Sequence, residues 1–350
     1  MSGVQTITIP EGDNDMRLDR WLRRTFPQLT QGRIEKMCRK GELRLDGARV
    51  KSNARLAPGQ QLRVPPIPDG EAPAPAPAPR VSDADAEMIR NAVMWKDDYI
   101  IALNKPAGLP VQGGSGQTRH VDGLSEALKF GFEEKPRLVH RLDKDTSGVL
   151  LLARTREAAA KLTAAFRSRE TRKIYWALVA GVPHPYMGTI KYGLVKAPGH
   201  GKSGEAEKMI CIHPAEVEKT EGAKRAVTDY SVLWRLGQRA AWVAMEPVTG
   251  RTHQLRAHIA EMGHPIIGDG KYGGSGQENL GDGWGAQLGG DVSRKLHLHA
   301  RTLRLKHPFT GKDLDFTAPM PDHMKRSWDH FGWSEKDVRK DPFDLDEPLG

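Results

Sequence analysis

The chain is poor in cysteine, with two in 350 residues, Cys38 and Cys211. Two thiols cannot build the disulfide framework of a small secreted domain, and this usage fits a reducing compartment. Long apolar runs are also missing. The stretch GVLLLA at 148–153 falls far short of the roughly 20 residues that a membrane span requires. The opening MSGVQTITIPEGDND is polar and acidic, without the apolar centre of a secretory signal. A soluble, cytoplasmic protein is expected. There is no Cys-x-x-Cys pair, no Gly-x-x-x-x-Gly-Lys-Ser/Thr phosphate loop and no Gly-x-Ser-x-Gly nucleophile elbow. His253, His258 and His264 are five and six residues apart and do not share a helix face, so no metal is expected.

What is present begins with charge. The net charge is +9, and residues 16–64 carry 13 Lys and Arg against 4 Asp and Glu, so this block holds the whole excess. A solvated basic face is the plain explanation. So polarised a block points instead to a polyanion, because Lys and Arg release counterions from phosphates.

The same block reads as a fold unit. In MRLDRWLRRTF, Leu18, Trp21 and Leu22 fall at helical spacing, with Arg17, Arg20, Arg23 and Arg24 on the other faces. Thr30 is placed to cap a second helix with the apolar stripe Ile34, Met37 and Cys38, and Gly41 is placed to end it. ELRLDGARV alternates about Asp46-Gly47, a hairpin signal. Two short basic helices followed by small strands, closing at GQQLRVPP, resemble the S4-type RNA-binding domain. The resemblance implies a small α+β module over 16–65. In it Arg17, Arg20, Arg24, Arg33, Lys36, Arg39 and Lys40 lie on structured RNA. PPIPDGEAPAPAPAPR follows; its prolines remove backbone donors and favour an extended form, so 66–87 is expected to be a linker.

From residue 88 onward strands and helices mix. YIIALNKPAGLPV is an apolar strand broken at Lys105-Pro106, and LSEALKFGF is helix-like. GVLLLA suits a strand buried on both faces. EAAAKLTAAFRSRE puts Leu162, Ala165 and Phe166 on one helix face. KIYWALVAG is a strand closed by Gly181, and RTHQLRAHIAEMG is a helix with Gly263 at its C-cap. An α+β domain with a mixed, largely antiparallel sheet is expected over 88–325. A charged C-terminal tail is expected over 326–350, with its last stretch, SEKDVRKDPFDLDEPLG, disordered.

RLVHRLDKDTSGVLLLART, residues 137–155, sets Asp143 in a polar loop just before a buried strand. As a structural residue it ties a turn through Thr146 and Ser147. As a chemical group it holds an anionic oxygen at the edge of the core. Four segments carry a resemblance: LNKPAGLPVQGGSG, LVHRLDKDTSGVLLLART, KIYWALVAG and TGRTHQLRAHIAEMGHPIIGDGKYG. By these the chain resembles the bacterial pseudouridine synthases of the ribosomal large-subunit type, over about residues 95–320. The resemblance implies a uridine isomerase acting on 23S ribosomal RNA as a monomer, with no cofactor, nucleotide or metal. It implies Asp143 as the catalytic carboxylate and Arg251 as its ion-pair partner. Tyr175 is implied as the aromatic that stacks on a flipped uracil and serves as a base. Arg141 is implied as the side chain that fills the gap left by the extruded base.

A glycosidase mechanism would need a second carboxylic acid, for which Asp145 is the only local candidate. The alternatives are a tRNA-modifying relative and a catalytically idle RNA-binding assembly factor on the same fold. The S4-like module weighs against the first, and the Asp143, Tyr175, Arg251 set against the second. The polar, Gly-rich stretches at 196–209 and 273–290 look like loop insertions. Cys38 and Cys211 have no assigned chemistry.

Overall fold

The computed structural model describes residues 3–67, 81–113, 119–168, 170–197, 208–273, 292–335, 338–339 and 341–344. The Pro/Ala-rich part of the expected linker and most of both inserted loops lie outside these. The chain divides into two compact units, Met1–Arg80 and Val81–Gly350.

In the first unit the helices Leu18–Thr25 and Gln31–Lys40 pack Leu18, Trp21, Leu22, Ile34 and Met37 into a core with Leu43, Leu56 and Leu62. The helix signals act as read. Thr30 Oγ1 accepts the Arg33 N–H at 3.3 Å, and Gly41 closes the second helix in the left-handed region. The Asp46-Gly47 hairpin joins Arg44–Leu45 to Ala48–Arg49. A strand at Gln5–Thr8 pairs with Gln61–Val64, so the module starts ahead of the expected residue 16.

The second unit opens with the helix Asp83–Asn91, capped by Ser82 Oγ on the Asp85 N–H. The expected linker therefore ends before residue 87. Eleven strands among the described residues form one sheet. Ser147–Ala153 lies third from one edge of it and is buried at all seven positions. It pairs antiparallel with Ile100–Lys105 and parallel with Leu298–Lys306. The remaining pairings are antiparallel, which gives the expected α+β fold. The parallel contact explains the glycine of Asp-x-Thr-Ser-Gly. Gly148 has φ +108°, and a Cβ there would stand 2.2 Å from the Ala300 carbonyl oxygen. No helix among the described residues is long and apolar enough to cross a membrane.

The expected boundary between catalytic domain and charged tail at 325/326 falls inside a helix, and Asp341, in the stretch expected to be disordered, is ion-paired. The helix Asp322–His330 stacks Trp328 on Trp176, with centroids 5.4 Å apart, and sets it edge-on to Trp242 at 4.5 Å. Trp333 joins the cluster, and Asp341 forms an ion pair with Arg172. High local charge concealed an apolar anchor, since these rings bury large areas whatever surrounds them in sequence.

Candidate active site

The loop bearing Asp143 connects the short strand Arg137–Leu138 to Ser147–Ala153. Its turn is closed by the Thr146 N–H on the Asp143 carbonyl, at 3.2 Å. The side-chain bonds of a purely structural Asp are not made, because Ser147 Oγ pairs with His299 Nδ1 at 2.8 Å instead. Beneath the loop lies Lys105, which is fully buried. Its Nζ donates to the carbonyls of Pro106, Leu109 and Lys144 at 2.9, 2.9 and 3.0 Å. Three acceptors match the three N–H bonds of an ammonium. Burial pushes this group down to about 7, against the pull of Asp145 and Asp143. Lys105 thus ties the turn after Ile100–Lys105 to the Asp143 loop.

A second element arrives from 249–256. Gln254 Nε2 donates to the Val227 carbonyl and Thr228 Oγ1 at 2.8 and 2.9 Å, while its Oε1 accepts from Thr249 Oγ1 at 2.7 Å and the Arg251 N–H at 3.1 Å. These bonds fix the start of the helix Gln254–Glu261, whose first six residues are all buried. Arg256 is one of them. Its Nε and Nη2 grip the two oxygens of Asp269, both at 2.7 Å, and its Nη1 reaches Asp143 Oδ2 at 3.3 Å. Asp269 is itself buried and also accepts the backbone N–H of Lys271 and Tyr272. A buried guanidinium between two carboxylates keeps its charge: the hydrogen bonds and charge of Asp269, then Asp143, raise its pKa despite opposing burial, the largest single influence.

His253 Nε2 lies 3.7 Å from the same Asp143 oxygen. No described residue donates to Oδ1, so one oxygen of this cleft-lining carboxylate is held and the other has no donor among the described residues. That cleft, about 340 Å³, is lined by His140, Arg141, Asp143, Tyr175, Arg251 and Arg256 among others. Its size falls at the lower end of the roughly 300–1,000 Å³ of small-ligand sites. Asp143 is the one carboxylate among its described lining residues. Burial first, then the nearby Asp143, raise the Tyr175 phenol well above its ordinary value, so it holds its proton throughout the neutral range. Lys173 on the same wall is lowered by burial. Its Nζ stands 5.2 Å from the Phe166 ring.

Comparison with known proteins gives this arrangement a lineage. The family described as RNA pseudouridylate synthase matches residues 99–261, and the S4 domain matches 16–62. Ribosomal large subunit pseudouridine synthase C of Vibrio cholerae is 34% identical over 93% of this chain and 96% of that protein. The chain belongs to the RNA pseudouridine synthases. The Haemophilus influenzae protein of the same name is also 34% identical, over 93% of this chain and 94% of its own. An uncharacterised RNA pseudouridine synthase of Synechocystis is 33% identical over 91% of this chain and 90% of its own. Among solved structures, human RNA pseudouridylate synthase domain containing 4 superposes with a TM-score of 0.55. It is 28% identical and covers 71% of this chain and 95% of that one.

In this synthase the expected residues converge only in part. Asp143, Tyr175, Arg141 and Arg251 all line the cleft. The ion pair expected of Arg251 is made by Arg256 instead. Arg251 precedes the helix, is exposed, and turns its Nε to the Arg225 carbonyl at 3.2 Å. Asp145 is exposed and does not line the cleft, so no second carboxylate stands by as an acid. Arg256, Asp269, Lys105, His253 and Tyr272 were not singled out as site residues.

In the S4 unit, Arg17 pairs with Asp19 and Arg24 with Asp13. Trp21 Nε1 donates to the same Asp13 at 2.8 Å. These two arginines brace the fold. Arg20, Arg33, Lys36 and Arg39 are exposed and pair with no acid among the described residues. Lys40 stands 3.8 Å from Glu42.

Proposed function

We propose that this synthase isomerises uridines of 23S ribosomal RNA, with Asp143 acting at the ribose of a nucleotide flipped into the cleft. The reading is carried by a lone carboxylate with one oxygen held by Arg256 and the other without a donor among the described residues. Conversion of uridine to pseudouridine breaks the C1′–N1 bond, turns the base and joins C5 to C1′. The C5 hydrogen leaves to solvent and N1 gains a proton, so no atom of the base is lost overall and no oxidant or reductant is needed. A carboxylate serves by bonding to C1′ or by taking the 2′ proton; the Asp143 oxygen without a donor suits either.

Tyr175 is assigned to stacking on the displaced uracil. Its raised phenol favours that role over the base expected from the resemblance. Arg141, exposed on the cleft wall, is assigned to filling the vacated stack, which offsets part of the few kcal/mol that extrusion costs. Arg251 is assigned to the cleft rim, where a cation meets RNA phosphate. The exposed cations Arg20, Arg33, Lys36, Arg39 and Lys40 supply the sequence-independent grip on RNA. The names of the Vibrio and Haemophilus relatives support the large-subunit target.

Pseudouridine mapping across ribosomal and transfer RNA, in cells without this protein and in cells complemented by wild type or Asp143→Asn, tests both parts. Marks in 23S ribosomal RNA should vanish and return only with wild type. Loss confined to transfer RNA would move the target, and restoration by Asp143→Asn would remove Asp143 from the chemistry.

A further inference from the structure

His253 sits at a strained position. It has φ +52° and ψ +19° just before the helix Gln254–Glu261. A left-handed conformation is uncommon for a residue other than glycine and carries a local penalty that surrounding structure must offset. What holds it there is Tyr272. The two rings meet edge to face at 5.8 Å, and His253 Nδ1 lies 3.0 Å from Tyr272 Oη. That hydroxyl already accepts the Met209 N–H at 2.9 Å. Its own proton is then free to be donated, and Nδ1 is the acceptor within reach. Burial pushes the phenol up to about 12, so the proton is present at neutral pH. The imidazole is held below its ordinary pKa, first by burial, with Arg256 and Lys271 adding to this and Asp143 opposing.

A neutral imidazole accepting at Nδ1 must carry its proton at Nε2. That nitrogen is the one 3.7 Å from Asp143 Oδ2. The hydrogen-bond sequence runs from the Met209 amide through Tyr272 and His253 towards the catalytic carboxylate. Arg256 engages the same oxygen from another side at 3.3 Å. Resting on the assignment of Asp143 as the reacting group, we propose that His253 is a positioning residue whose Nε2–H, set by Tyr272, fixes Asp143 Oδ2 so that Oδ1 alone faces the ribose. At 3.7 Å the contact is longer than a hydrogen bond, and it closes as the nucleotide fills the cleft.

The probe is total RNA labelled with [5-3H]uridine from cells lacking the protein, and the readout is tritium released as C5 bonds to C1′. His253→Asn removes the ring but keeps a residue that tolerates the left-handed backbone. It should lower the single-turnover rate about a hundredfold with apparent KM within twofold. Tyr272→Phe keeps the ring and removes the hydroxyl, and should lower the rate about tenfold. The double variant should be no slower than His253→Asn alone, because Tyr272 acts through His253. Independently of catalysis, 15N spectra of histidine-labelled protein should show His253 protonated at Nε2 in wild type and redistributed in Tyr272→Phe.

An Nδ1-protonated His253 in wild type, multiplicative losses in the double variant, or a wild-type rate for His253→Asn would each overturn the proposal. The spectra and Tyr272→Phe decide it even where His253→Asn fails to fold. Activity of Asp143→Asn would sink the catalytic assignment itself. An inactive Asp143→Asn beside fully active His253 and Tyr272 variants would sink this inference alone.

Discussion

At the residue scale the two arginines of RTHQLR separate by where the helix begins. Arg251 is exposed ahead of it, so Arg251→Met removes no buried partner; surface changes of this kind stay within about 0.5 kcal/mol. Its single-turnover rate should remain within tenfold of wild type. Arg256→Met leaves the buried Asp269 and the cleft-facing Asp143 without their shared cation. Breaking such a pair costs about 3–5 kcal/mol, and the rate should fall at least a hundredfold. Arg256→Lys should recover only part of it, since a point charge cannot grip Asp269 through two parallel bonds. Thermal melting and tritium release measure both; equal losses for Arg251→Met and Arg256→Met would contradict the pairing. Asp143 and the motif around it were legible in the sequence because polar residues interrupt a core strand there. The choice between Arg251 and Arg256 was not, because periodicity does not fix the first residue of a helix to within one turn.

At the element scale the strand Ser147–Ala153 does two jobs. It joins Ile100–Lys105 to Leu298–Lys306 within the sheet, and its first residues aim the Asp143 loop. Gly148 makes the parallel contact with Leu298–Lys306 possible, because nothing larger fits against the Ala300 carbonyl. Gly148→Ala combines a backbone clash with a left-handed φ, and should destabilise the protein by at least about 3 kcal/mol. Denaturant unfolding measures this; a loss below about 1 kcal/mol would mean that the two strands do not approach as described. The apolar run of this strand declared itself in sequence. The C-terminal helix Asp322–His330 did not, because its buried face consists of only Met324 and Trp328 with the polar His323 and Ser327, a stripe that charged neighbours obscure.

At the scale of the whole molecule, charge and histidine burial set the response to salt and pH. Arg20, Arg33 and Lys36 are exposed and unpaired among the described residues, whereas Arg17 and Arg24 are committed to Asp19 and Asp13. Replacing the first three with Gln should weaken RNA binding and reduce the slope of log K against log salt by about 2–3. An unchanged slope would place the RNA contact elsewhere. The excess positive charge was visible by counting, but which cations were free for a partner required the packing.

Three buried histidines and the half-buried His140 respond to acid. Burial holds His140 and His299 at about 3 and His258 and His297 at about 4, against an ordinary 6.5. Below pH 6.5 the unfolded chain takes up protons that the folded chain refuses, so stability falls as the pH drops from about 6.5 to about 4. The melting temperature should decline steadily through that window; a flat profile from pH 6.5 to 4.5 would contradict the neutral state of these rings.

The central claim is that one carboxylate, with one oxygen anchored and the other without a donor, performs the isomerisation. Asp143→Asn keeps the size of the side chain and most of its hydrogen bonding while removing the anionic oxygen. The most direct measurement is single-turnover tritium release from [5-3H]uridine-labelled RNA by this variant, with binding of the same RNA measured alongside. RNA affinity within threefold of wild type and no detectable release is the expected result, and release within tenfold of wild type would contradict the claim.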